Sequence, residues 1–307
     1  MRTLARSIHD TLASGSRRLP NTTNKVRLGK LVTRLLMPSS GSLVFEVPMR
    51  DGSRMLLDPR NITESGAYWC GTYEIENIRF MTSCCDGPDL TVLDVGANIG
   101  FFTVPLGRAV AKQGGGRVFA FEPVANNAQR LRQVVELNGL GQWVTVIDHG
   151  LSDQAGEMEF AVEIGTGAQT GNAFPKGDTP AGKRVRHETV RLARLDDEAE
   201  RLGIDRVDVV KLDVEGAEMA VLKGGWNLIS SSRPVLLGEF STGVNRGYGS
   251  ALAEVREAFE PLDYRICQVG PTGLIDKTDD PTFADQAALV PSEKFAEVQD
   301  RYVASCH

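Results

Sequence analysis

The chain has 307 residues, 41% hydrophobic and 24% charged, a make-up that suits one large α/β domain or two small ones. Its formal charge of −6 disfavours nucleic acid as a partner, and five scattered cysteines without a CxxC pair disfavour a zinc cluster or a disulfide scaffold. No apolar run reaches the ~18 residues of a membrane span, and the basic N-terminus lacks the apolar core of a secretory signal, so the expected compartment is the cytoplasm.

Residues 1–34 hold eight basic residues (Arg2, Arg6, Arg17, Arg18, Lys25, Arg27, Lys30, Arg34) against one acid, Asp10. Residues 1–40 read as one or two short helices broken within Gly15–Asn24, most simply amphipathic and packed on the domain. An organelle-type leader, or contact with an anionic substrate carrier, a membrane surface or a sister subunit, stays open for this segment. Leu43–Asp58 predicts a β-hairpin turning at Asp51-Gly52. Gly66–Thr82 is rich in aromatics and predicts a helix. Its Tyr73 and Glu74 are candidates for a wall on the substrate side, with core packing as the plainer account. Asp86-Gly87-Pro88 then breaks the chain, which divides it into an extension over residues 1–85 and a main domain over 86–307.

From Leu90 onward strands and helices alternate. Strands are predicted at Thr91–Val95, Arg117–Phe121, Val144–Asp148, Glu157–Val162, Thr189–Leu195, Val207–Leu212, Val235–Gly238, Arg265–Val269 and Ala287–Val290. Helices are predicted at Ile99–Gln113, Asn126–Asn138, from Ala217, and at Leu252–Phe259. The pattern specifies a Rossmann-like, doubly wound, mostly parallel sheet of seven strands, with the two β additions flanking a long Gly-rich loop over Gly165–Lys183.

The strongest motif is Leu93-Asp94-Val95-Gly96-Ala97-Asn98-Ile99-Gly100, between a predicted strand and a predicted helix. Gly96 permits the tight turn and Gly100 close packing of helix on strand. A dinucleotide site wants a glycine where Asn98 stands, so that the backbone can approach a pyrophosphate. S-adenosylmethionine has no phosphate and tolerates a side chain there. Asp94 adds a carboxylate suited to an ammonium group or to bracing the loop. The next strand ends in Phe121-Glu122-Pro123, with Glu122 placed to accept hydrogen bonds from ribose hydroxyls. The third ends in Asp148-His149-Gly150-Leu151-Ser152-Asp153, where Leu151 can pack on adenine and Ser152 or Asp153 can bond its edge. A plain Ser-Asp turn is the alternative. An NAD(P)-dependent oxidoreductase stays open as a competitor.

These motifs, with Val209-Val210-Lys211-Leu212-Asp213-Val214-Glu215-Gly216-Ala217-Glu218 and Gly71-Thr72-Tyr73-Glu74, resemble the FkbM family of methyltransferases over roughly residues 65–240. The resemblance implies a class I methyltransferase fold, S-adenosylmethionine as cofactor, and a small-molecule acceptor. Such acceptors are typically hydroxyls of sugars or polyketide-type metabolites in natural product biosynthesis. N- or carboxyl-methylation of a small metabolite is the alternative.

Methyl transfer to an alcohol needs a base or a metal to take its proton. Asp213 and Glu239 each end a strand, and adjacent parallel strands bring them to one sheet edge. Either can be the base, or both can ligate Mg²⁺. The plainer account has Asp213 orienting the cofactor and Glu215 and Glu218 capping the next helix. Glu215 is also a candidate on the acceptor side. Lys211 shares a strand face with Asp213 and can hold it ionised. His149 is a second candidate base. Asn172, in the long loop, is a candidate acceptor contact. Homo-oligomerisation stays open.

Overall fold

Thr22 Oγ1 accepts the backbone N–H of Lys25, so the polar stretch before it ends one helix and starts the next. The computed structural model describes residues 2–38, 43–163, 173–175, 185–240, 252–280, 283 and 286–306. Helix α1 (Arg2–Arg17) is followed by α2 (Thr23–Leu36) and by the hairpin β1 (Phe45–Pro48) and β2 (Arg54–Leu57). Asp51 Oδ1 accepts the Ser53 N–H and hydroxyl at 2.9 and 2.6 Å, closing the turn as expected.

The predicted single helix over 66–82 is two helices. Asn61 caps α3 (Ile62–Cys70), which stops where Gly71 takes a left-handed φ of 68°. Helix α4 (Ile75–Ser83) starts after Glu74, itself at φ 31°. Tyr73 lies in the break, clear of both helices.

Beyond this come β3 (Leu90–Val95), α5 (Thr103–Gln113), β4 (Gly116–Phe121), α6 (Ala125–Leu137) and β5 (Val144–Ile147). A side excursion follows: β6 (Gly150–Leu151), β7 (Gly156–Glu163), β8 (Ala173–Pro175) and β9 (Val185–Ala193). The alternation resumes with α7 (Leu195–Leu202), β10 (Val209–Leu212), α8 (Glu218–Gly224), α9 (Trp226–Ser232), β11 (Val235–Glu239) and α10 (Leu252–Phe259). The chain then runs through β12 (Tyr264–Gly270), β13 (Gly273–Asp276), β14 (Gln286–Pro291) and α11 (Phe295–Ser305). The predicted strand at Thr189–Leu195 overran by two residues, because Leu195 opens α7 and three acids in its first turn favour the helix N-terminus.

The main sheet has the order β13-β12-β14-β11-β10-β3-β4-β5. Strands β11, β10, β3, β4 and β5 pair in parallel, and β14 enters antiparallel between β11 and β12. The Rossmann-like reading holds, with β13 added as an eighth strand beyond the expected seven. The excursion forms its own small sheet, β6-β9-β7-β8.

Alternate residues along the central strands feed two cores. Val92, Val118, Val209 and Leu237 face α4, α5 and the N-terminal elements. Leu93, Phe119, Val210 and Leu236 face α7 to α10. Each such side chain, once buried, stabilises the fold by ~1.5–3 kcal/mol. The first core also takes in Ala13, Phe45, Tyr68 and Phe80, so residues ahead of the glycine turn pack directly on the sheet layer. A buried bidentate pair ties the two parts together: Arg130 on α6 reaches both Glu64 oxygens, at 2.9 and 2.7 Å.

Candidate functional site

The parallel strands leave their carboxyl ends at one edge, where a doubly wound sheet places its ligand crevice. A cavity of about 250 Å³ opens there. Its rim takes one acid from each central strand: Asp94 within β3, Glu122 just past β4, Asp213 just past β10, and Glu239 at the end of β11.

The glycine turn sits between β3 and α5. Gly96 has φ 81°, and a β-carbon there would fall 1.9 Å from the Asp213 carbonyl oxygen. The residue is thus required by the neighbouring strand end as much as by the turn. Asn98 lines the cavity with φ 50°. Gly100 does not line it; a β-carbon there would lie 2.7 Å from Leu131, so this glycine admits α6.

Glu122 is buried. Its Oε2 accepts the Asn98 N–H at 2.8 Å, while Oε1 accepts the Val124 N–H at 2.9 Å and the Asn127 amide at 3.3 Å. Burial pushes its carboxyl up to about 7, against the pull of those donors. Asn127 also lines the cavity, and its buried Oδ1 has no hydrogen-bond partner.

Asp94 is buried opposite Lys211, its register partner on β10, and accepts the Thr103 hydroxyl at 2.5 Å. Burial raises its carboxyl to about 6. Bracing the start of α5, one of its two expected roles, is thus met by the Thr103 bond. The Lys211 ammonium is buried 3.3 Å from Asp213 Oδ2 and 4.8 Å over the Phe102 ring. Leu212 pairs with Gly238, so Asp213 and Glu239 follow at equivalent positions on adjacent parallel strands. Glu218 is buried and accepts the N–H groups of Val214 and Gly216, bracing the loop that holds Asp213. Glu215 lines the cavity with a left-handed φ of 56°. Backbone strain of this kind, also present at Glu74 and Asn98, gathers at binding sites.

Leu151, Ser152 and Pro123 line the cavity, joined by Met158 and Phe160 from β7. Asp153 is exposed and outside it, accepting from its neighbour Ser152. Tyr73 stacks on Phe101 at 4.1 Å and 10° between the rings. The pair lines this cavity and also a second, of about 730 Å³, between α4, α5 and the hairpin. Burial, with Glu74 beside it, pushes the Tyr73 hydroxyl up. Glu74 accepts from Asn77 at 3.1 Å, and Asn77 also bonds Gln286 on β14.

One expectation is corrected and another gains no support. His149 does not line the cavity. It is buried against Phe121, with Nε2 3.3 Å from Glu198 on α7, and burial lowers its basicity. A Mg²⁺ site on Asp213 and Glu239 gains no support: among the described residues no three His, Cys, Asp or Glu side chains group to hold a metal, and the Lys211 ammonium already answers Asp213. Asn172 and most of its loop lie outside the described residues. Sequence reasoning missed Asn127, Phe101 and Met158. For Asn127 a signal existed, an amide one helical turn beyond the acid at a strand end.

A parallel sheet with this strand order, a glycine turn and an acid at each strand end defines a Rossmann-like class I methyltransferase. The profile of the family described as Methyltransferase FkbM domain matches residues 94–266, over half of the chain, and the chain belongs to this family. Membership sets aside the oxidoreductase alternative. The AMB antimetabolite synthetase AmbE of Pseudomonas aeruginosa is 34% identical over 167 residues, 45% of this chain and 8% of AmbE. The 2-O-methyltransferase NoeI of Sinorhizobium fredii is 27% identical over 164 residues, 50% of this chain and 65% of NoeI. The chain therefore spans less than two thirds of either relative. Among solved structures, the methyltransferase FkbM from Methylobacillus flagellatus shares 20% identity at a TM-score of 0.42, over 66% of this chain and 43% of that one. No helix among the described residues is long and apolar enough to cross a membrane.

Proposed function

We propose that the chain transfers the methyl group of S-adenosylmethionine to a hydroxyl of a small molecule of the sugar or polyketide type. The observation that carries this reading is the convergence of four strand-end acids on one cavity that also holds an unpaired buried acceptor, Asn127 Oδ1. The cavity residues suit an adenosyl group. Glu122 has three protein donors, leaving lone-pair capacity for a ribose hydroxyl, and Asn127 Oδ1 awaits a donor. Leu151, Met158 and Phe160 offer apolar surface for a base, with Ser152 at its edge. Asp94 offers charge to an ammonium group.

When bound, the cofactor supplies a methyl group already activated on a sulfonium. The chain then has to orient the acceptor oxygen for in-line attack and take its proton. Asp213 or Glu239 receives that proton in this reading, and the buried Lys211 ammonium, 3.3 Å from Asp213 Oδ2, holds that carboxylate in place. Residues 1–85 form an extension that supplies Tyr73 and Glu74 to the acceptor side. The name of NoeI, a 2-O-methyltransferase, supports oxygen as the acceptor atom.

The test is Asp213→Asn. Turnover in a methyl-transfer assay should fall by about 10² or more, while affinity for S-adenosylhomocysteine stays within about threefold, well under 1 kcal/mol. Equal losses in both would make Asp213 a positioning residue. Wild-type protein that binds neither S-adenosylmethionine nor its demethylated product defeats the reading.

A further inference from the structure

Seven large hydrophobic side chains are exposed among the described residues, and six of them lie between residues 8 and 35. Ile8 and Leu12 stand one turn apart on α1. Leu28, Leu31 and Leu35 form a row on α2, with exposures of 62%, 51% and 73%. Arg27, Lys30 and Arg34 repeat that spacing one position earlier, so an exposed basic row runs alongside the leucine row. Helix α2 contains no acid, and the single acid of α1, Asp10, accepts the Tyr68 hydroxyl.

The leucine row is held outward by what lies beneath it. Gly29 lets α2 rest on Trp69, where a β-carbon would come within 2.4 Å of the ring. Thr33 receives the Trp69 indole N–H at 3.2 Å and bonds His9 Nε2 at 2.9 Å. Rotating α2 to hide the leucines would break all of these contacts.

We propose that α1 and α2 form a docking face for an anionic lipid surface, with the leucines entering the acyl boundary and the basic row meeting the headgroups. An apolar row beside a cationic row on a helix lying along the surface is the pattern of interfacial membrane binding. Charge selects this occupant over a second copy of the chain. Residues beyond 34 carry 26 basic and 39 acidic side chains, so the net positive charge of the chain lies in its first 34 residues. Two such faces meeting across a two-fold axis would oppose like charges, and a head-to-tail contact would set the leucine row against a body whose single exposed large hydrophobic, among the described residues, is Ile275. The inference is independent of the methyl acceptor.

The full chain should co-sediment with vesicles of phosphatidylcholine mixed with phosphatidylglycerol, and far less with phosphatidylcholine alone. Leu28→Ser/Leu31→Ser/Leu35→Ser and, separately, Arg27→Gln/Lys30→Gln/Arg34→Gln should each lower the partition coefficient by about tenfold or more. All six positions are exposed, and an unchanged far-ultraviolet dichroism spectrum and melting curve verify the fold of each variant. Absence of wild-type binding, or binding unaffected by either triple variant, overturns the proposal. So does light scattering that shows a wild-type dimer converted to monomer by the leucine variant, which would assign the face to a second copy.

Discussion

Glu122 accepts the backbone N–H of Asn98 at 2.8 Å, so the acid that ends β4 also holds the turn that ends β3. One side chain therefore lines the cavity and sets the shape of the loop beside it. Glu122→Ala should weaken S-adenosylhomocysteine binding by roughly 1–3 kcal/mol, through lost charge-assisted hydrogen bonds and a loosened turn. Calorimetric titration measures this, and an unchanged affinity removes Glu122 from the cofactor site.

The same burial makes the site pH-dependent. Glu122 is raised to about 7 from 4.5, and Asp94 to about 6 from 3.8, both by removal from water. The folded chain holds these protons more tightly than the unfolded chain does. Their contribution to stability is therefore full below the unfolded values and is lost as pH rises through the folded ones. A ligand that donates hydrogen bonds to the ionised carboxylate reverses the trend. The gain in Tm from S-adenosylhomocysteine should be larger at about pH 8 than at about pH 5. Calorimetry near neutrality, repeated in buffers of different ionisation enthalpy, should register proton release; equal gains with no release would disprove the linkage.

Gly96→Ala places a methyl group 1.9 Å from the Asp213 carbonyl oxygen at a left-handed φ. Strain and forced displacement of β10 together should cost more than about 2 kcal/mol. Gly114→Ala serves as the comparison, since it shares a left-handed φ but has nothing within 4 Å; it should cost about 1 kcal/mol. Urea denaturation of both variants checks the difference, and similar midpoints would contradict it.

His149→Gln should leave kcat within about twofold, because removing a group that takes no part in the transition state does not touch its stabilisation. The side chain lies against Glu198 and Phe121 and does not itself line the cavity. Stability should fall by about 1 kcal/mol through lost packing. A large loss of turnover with an intact fold would return His149 to the chemistry.

Much of this arrangement was legible because short apolar runs each carry an acid at or near their carboxyl end. Val92 to Val95, Val118 to Phe121, Val209 to Leu212 and Val235 to Leu237 become the central parallel strands, with Asp94, Glu122, Asp213 and Glu239 at one edge. What depended on a single residue of register was not legible. Asp148 is exposed and His149 buried, a one-position alternation that leaves the imidazole out of the cavity lining. Contacts between distant segments were equally hidden: the Tyr73–Phe101 stack and the Asn77–Gln286 bond leave no local pattern. The split of 66–82 follows from left-handed backbone at Gly71 and Glu74, and Glu74 carries no sequence signal for it.

The bond from Asn77 to Gln286 spans 209 positions, and Gln286 is the register partner of Glu239. The rim at Glu74 is thereby closed by the last strand of the sheet to be synthesised. Contacts of such sequence separation form late, after the entropy of a very large loop has been overcome. Nascent chains emerging from the ribosome accordingly acquire the glycine turn before they acquire the contact that ties Asn77, beside Glu74, to β14.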